Sequence, residues 1–302
     1  MKQEHRIRVL SMIAILALFP ISVFSQSTSS TKPLISAVIN DGKTLEPIAY
    51  LSGGKLSTPV TGSDAMNIIV AFDRSYYPKG KVYSLIFGGK STGSSTVVSS
   101  NAKNECSRNM ATVTTTTSGT PLKGHVMALA TNAQLAKPGS GVRRLPTTEE
   151  RTEIEALVKA EFVKNGVSEA VANDMRYLNL TGLDVEGDGK AEFVGTYWTY
   201  IGPTERGLLF FIADKGSDGK YLFGYKNYRK VTQSDTMSGD LKDVDGGIYQ
   251  ERLLDIFDTD GDGISEVFTY LLKFESASFV SYRRQAGAWA NIYEVSNYHC
   301  GY

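Results

Sequence analysis

Asp184-Val185-Glu186-Gly187-Asp188-Gly189-Lys190-Ala191-Glu192 and Asp258-Thr259-Asp260-Gly261-Asp262-Gly263-Ile264-Ser265-Glu266 follow one pattern, with acids at positions 1, 3, 5 and 9 and glycine at 4 and 6. Each nonapeptide sits between apolar runs whose residues suit strands. Reading outward from the first gives strands at 177–183, 193–200, 208–213 and 221–228. The second gives strands at 252–257, 267–274, 278–283 and 289–295. Two antiparallel four-stranded meanders follow, their acidic loops starting 74 residues apart. Leu208-Leu209-Phe210-Phe211-Ile212 is apolar on both faces, which predicts a strand covered on both sides. Blade-like units stack in that way, but two of them are too few to close a propeller.

The spacing of the acids points to calcium, which takes about six to eight oxygens in flexible geometry. Asp184, Glu186, Asp188 and Glu192, with the backbone carbonyl of Lys190, make one expected ligand set; Asp258, Asp260, Asp262 and Glu266, with that of Ile264, make the other. Glycine at position 6 permits the sharp turn, and Gly187 and Gly261 loosen the backbone further. Carboxylates packed this closely repel one another unless a cation lies among them. An EF-hand is excluded, because its twelfth position needs a bidentate acid and these loops place Gly195 and Thr269 there. The plain alternative is a pair of polar Asp-Gly hairpin turns. At these residues the chain resembles the FG-GAP/VCBS class of calcium repeats, known from integrin α-chain propellers and many exported bacterial proteins. The resemblance covers about residues 178–302 and implies metal bound for stability, with ligand recognition elsewhere on the sheets.

Upstream, residues 26–135 read as an N-terminal β domain. Strands are expected at 35–40 and 44–51 around the turn Asp41-Gly42, at 82–87 before Gly88-Gly89, and at 112–117 in a threonine-rich run. Residues 136–146, with two prolines and two glycines, read as a linker. A helical connector over 147–178 follows. Thr147 and Glu150 form a capping box, Ile154, Leu157, Val158 and Phe162 make an apolar stripe, and Gly166 ends the first helix. Ser168 starts a second, short helix that buries Val171, Met175 and Leu178. The C-terminal β domain then occupies 179–302, and the fold class is mainly β.

Residues 1–25 have the form of a signal peptide: Lys2, Arg6 and Arg8, an apolar run of roughly 15 residues that is short of the ~20 that span a bilayer, and small residues at Val23 and Ser25. A secreted or periplasmic protein is expected. Loss of the leader takes three basic residues and Glu4 from a balance of 32 against 32, leaving a charge near −2. Nucleic acid and membrane surface are therefore not expected partners. An exported chain with two cysteines favours a Cys106–Cys300 disulfide.

The signatures of zinc proteases and serine hydrolases, His-Glu-x-x-His and Gly-x-Ser-x-Gly, do not occur. His125 and His299 are isolated in sequence and read as structural. Twelve of the sixteen tyrosines lie from Tyr177 onward, as core and strand residues or as a binding face. The favoured reading is a calcium-stabilised binding or structural protein with an extracellular protein or carbohydrate partner and no catalytic residues. The rival is a secreted hydrolase whose site lies between the two domains, with the loops as scaffold.

Overall fold

A computed structural model describes residues 31–119, 121–134 and 137–300; the expected signal peptide at 1–25 lies outside the described residues. Three antiparallel sheets carry the chain. The first contains β1 (Leu34–Ile39), β2 (Thr44–Ser52), β3 (Lys55–Ser57), β4 (Val82–Phe87), β5 (Lys90–Ser100), β6 (Ala111–Thr117) and β7 (Ala128–Thr131), with α1 (Met66–Tyr76) between β3 and β4. Its order, β1-β7-β4-β5-β6-β2, returns to β1 through a further β1–β2 pairing, so six strands close a barrel and β3 extends β2 as a hairpin.

β1 explains why the barrel does not stand alone. All six of its residues are buried, and alternate side chains serve different cores, as the two-residue period of a strand requires. Leu34 and Val38 join Leu85, Val97 and the α1 residues Phe72 and Tyr76 on the inner face. Ile35, Ala37 and Ile39 point outward and pack with Leu254, Phe257, Phe268 and Phe279 of the last sheet.

That last sheet is the meander β13 (Glu251–Phe257), β14 (Glu266–Leu272), β15 (Ser276–Gln285) and β16 (Ala288–Tyr298). The middle sheet is the meander β9 (Arg176–Leu183), β10 (Glu192–Gly202), β11 (Glu205–Lys215) and β12 (Tyr221–Thr232), with the two-residue β8 (Arg143–Arg144) added at the β9 edge. Both meanders fall where the sequence placed them. α2 (Thr148–Lys164) and α3 (Glu169–Asn173) cover the outer face of the middle sheet.

The capping box of α2 is formed as read, with Thr147 accepting from Glu150 and the Glu150 carboxylate accepting from the Thr147 N–H, and Ser168 caps α3. Ile154, Val158 and Phe162 are fully buried against Phe193, Tyr197, Leu209 and Phe211. Phe210 and Ile212 face the other way, onto Ile256, Val267, Val280 and Tyr282 of the last sheet. The doubly apolar run 208–212 is thus covered on both sides. The layers run helices, middle sheet, last sheet, barrel wall, and Lys32–Tyr302 forms one compact unit. Residues 137–146 therefore lead from the barrel to the edge of the middle sheet.

Candidate metal centre

The two acidic loops are the β9–β10 and β13–β14 hairpins. Each runs from position 1, just past the end of one strand, to position 9, the first residue of the next: Glu192 pairs with Leu183, and Glu266 with Phe257. Three of their internal hydrogen bonds recur at the same positions, although the amide of position 5 turns to position 1 in the first loop and to position 3 in the second. Position 1 accepts from the glycine N–H at position 6, Asp184 from Gly189 at 3.2 Å and Asp258 from Gly263 at 3.0 Å. Position 5 accepts from the N–H of position 7, Asp188 from Lys190 at 2.9 Å and Asp262 from Ile264 at 2.7 Å. Position 9 reaches back to the N–H of position 2, Glu192 to Val185 at 2.9 Å and Glu266 to Thr259 at 2.8 Å. Glycines 187, 189, 261 and 263 all adopt positive φ, which curls each loop around its position-1 carboxylate. Ser265 donates to the carbonyl of Val185 at 3.0 Å, so the loops lie side by side.

The loops differ in how their outer carboxylates are balanced. In the second, carboxylate oxygens of Asp258, Asp260 and Asp262 come within 4.8 Å of one another. Arg283 of β15 approaches from behind, pairing with Glu266 and, at 3.1 Å, with Asp260. In the first loop, Glu186 is drawn to Arg284 at 2.7 Å and Asp188 to the ammonium of Lys190 at 2.8 Å. Arg284 also pairs with Asp214, which accepts from the Trp289 indole N–H. Burial pushes the Glu192 carboxyl up to about 7 and raises that of Glu266 as well; a cation in the loop would oppose both shifts. Clustered carboxylates with only oxygen donors suit a hard ion such as calcium, and the second loop fits that donor chemistry better than the first. Lys190 and Ile264 occupy position 7 in both loops as read. The counter-ions Lys190, Arg283 and Arg284 carry no spacing signal of their own: Arg283 and Arg284 are neighbours on β15, yet one turns to the second loop and the other to the first.

Other residues singled out from sequence have structural partners. Cys106 and Cys300 form a disulfide. Beside it, the buried Glu46 accepts from His299 and from Asn297, both at 2.6 Å, and fixes the end of β16 to the barrel. Asp243-Val244-Asp245 lie in the short helix α4 (Lys242–Asp245), where Asp245 pairs with Arg206 at 2.7 Å. Most of the C-terminal aromatics are interior: Phe210, Tyr225 and Tyr282 pack ring against ring. No helix among the described residues is long and apolar enough to cross a membrane. Comparison with protein-family models, curated proteins and solved structures finds no match.

Proposed function

We propose that the chain is an exported binding protein whose stacked C-terminal sheets are pinned at one end by calcium, in the manner of FG-GAP/VCBS repeats. One observation carries the reading. Two loops 74 residues apart reproduce the same carboxylate-to-amide frame at positions 1, 5 and 9, and one of them also gathers three aspartates within 4.8 Å. A plain Asp-Gly turn needs one such contact, whereas a metal loop needs its acids oriented together. Calcium here would neutralise the acids and lock the β9–β10 and β13–β14 hairpins, leaving recognition to other surfaces. Export is supported by the leader-like residues 1–25 and by the disulfide, which persists in oxidising compartments.

Thermal unfolding of the purified chain with calcium and with chelator tests the metal. An ion that binds only the folded state stabilises it by about 2.7 kcal/mol at a hundredfold excess over its dissociation constant. For a chain of this size that is roughly a 5–10 °C rise in Tm. An unchanged Tm at millimolar calcium sinks the proposal. Export is read separately, from the N-terminus of the protein recovered outside the cytoplasm.

A further inference from the structure

Arg252 is anomalous for an interior cation. Its residue is 8% exposed, and among the described residues no carboxylate lies within ion-pair distance of it. Its Nη1 donates to His125 Nδ1 at 2.9 Å, its Nη2 makes a long contact of 3.4 Å to the Gly247 carbonyl, and its guanidinium lies 5.7 Å from the centre of the Tyr270 ring. Its Nε has no hydrogen-bond partner. A guanidinium offers five N–H donors, so most of this fork is unspent. Holding a cation out of water without a counter-charge is unfavourable, and burial accordingly lowers the pKa of the group. The paired acids nearest in sequence, Glu251 and Asp255, are committed elsewhere, to Thr269 and Tyr282 and to Arg143.

The same side chain lines a cavity of about 410 Å³ between the β1–β2 turn and strands β13 and β14, within the size range of small-molecule sites. Ile39, Met127, Leu272 and Tyr270 supply apolar wall, and Lys43 stands at the mouth. The single carboxylate on the wall, Asp41, accepts the Gly124 N–H at 2.9 Å. Asn40, Asp41 and Gly42 in succession take positive φ, which turns Asp41 onto that amide. His125 accepts from Arg252 through Nδ1, so the neutral ring carries its proton on Nε2; burial and the neighbouring guanidinium lower its pKa and keep it neutral.

We propose that this cavity binds a small organic carboxylate, its head on Arg252 and its apolar body against Met127, Leu272 and Tyr270, with Lys43 closing the rim. Two cations against one acid leave a surplus of one positive charge, which matches a monoanion better than a phosphate dianion. Arg252 lies six residues from the second acidic loop along β13, about 20 Å at the rise of a strand. The inference rests on reading the protein as a binding module and is independent of calcium.

The test uses benzoate as the probe, benzyl alcohol as its neutral counterpart and inorganic phosphate, each titrated into the ¹⁵N-labelled chain with calcium and with chelator. Benzoate should give saturable shifts of the Arg252 Nε–H and the Gly124 amide, in chelator as in calcium, and benzyl alcohol should not. Phosphate should bind more weakly. Arg252→Gln should weaken benzoate about tenfold or more, as loss of a charge-assisted hydrogen bond does. Should that variant fail to fold, Lys43→Gln on the exposed rim decides, with a loss of about threefold. Absence of saturation at millimolar benzoate, equal shifts from benzyl alcohol, stronger binding of phosphate, or an unchanged affinity in Lys43→Gln would each overturn the proposal. A failed calcium shift in Tm with intact benzoate binding would strike only the metal reading.

Discussion

Arg143 Nη1 meets Asp255 Oδ2 at 2.8 Å with both side chains almost out of water, 7% and 0% exposed. The pair joins all three sheets. Arg143 belongs to β8 of the middle sheet and Asp255 to β13 of the last, and Asp255 also accepts from the Gly88 and Gly89 N–H groups at the β4–β5 turn of the barrel. The guanidinium spends its remaining reach on the carbonyls of Met127 and Leu254, over the face of Phe87.

Breaking this pair from one side leaves a buried charge without its partner, which costs about 3–5 kcal/mol. Asp255→Ala should therefore lower the unfolding free energy from urea titration by that order, with a correspondingly lower midpoint. Arg143→Met should cost a comparable amount, and the double variant less than the sum of the two, because the coupling is lost only once. Additive losses would mean that the two side chains stabilise the sheets independently.

The disulfide closes a loop of 194 residues between the barrel and the end of β16. Its main effect is to restrict the unfolded chain, and long loops fall at about 2–5 kcal/mol. The double substitution Cys106→Ser with Cys300→Ser should lower stability by that amount, while near-ultraviolet circular dichroism stays native. The Glu46–His299–Asn297 contacts hold the same end of the chain without the bridge. Loss of the native spectrum in the cysteine-free variant would show that those contacts do not suffice.

Much of the C-terminal half was legible because its signals are local. The strand runs are dense in apolar and β-branched residues, the acidic loops mark hairpin ends, and Thr147 with Glu150 announces α2. The barrel was not legible in the same way. β5 reads KSTGSSTVVSS, too polar to signal a strand by pattern, and Val97 and Val98 are its only apolar residues with a branched side chain. α1 begins after Ala65 with no side-chain cap and no acid in its first turn, so the start signals of a helix are missing. Closure depends on β1 pairing with both β2 and β7, a tertiary fact. The same limit applies to the candidate metal centre. Spacing gave its acids, but Arg284 reaches Glu186 from another sheet, 98 residues on, and Arg143 finds Asp255 over 112 residues of sequence.

Glu150 makes stability at low pH a readable quantity. Its carboxylate accepts from Arg144 at 2.6 and 2.8 Å, from the Thr147 N–H at 2.8 Å and from the Tyr221 hydroxyl at 3.3 Å. These bonds, those from Arg144 first, lower its pKa from 4.5 to about 2. A carboxylate whose pKa falls on folding contributes stability above its unfolded pKa and loses it as pH drops through the folded value. The loss should therefore run from about pH 4.5 down to pH 2. Glu150→Gln should cost about 1–3 kcal/mol at pH 7 and remove the corresponding part of the acid transition. A variant whose stability falls as steeply as the wild type over that interval would assign the transition to other acids.

The unequal balance of the two loops predicts unequal roles for their aspartates. At position 5, Asp188 carries the Lys190 ammonium at 2.8 Å, whereas Asp262 shows no side-chain cation at ion-pair distance among the described residues and lies with Asp258 and Asp260. A bound calcium ion must displace or outbid the resident cations, so the second loop, which holds Arg283 alone, should bind more tightly than the first, which holds both Lys190 and Arg284. Asp262→Ala should remove most of the calcium-dependent rise in Tm at low calcium, and Asp188→Ala should remove only the part that appears at higher concentration. Lys190→Gln sharpens the comparison: freeing Asp188 of its ammonium should increase the affinity of the first loop and leave that of the second unchanged. Isothermal titration of the three variants reads both affinities directly. If Asp188→Ala abolishes the tighter phase and Asp262→Ala spares it, the order of the loops is reversed and the lysine is no competitor.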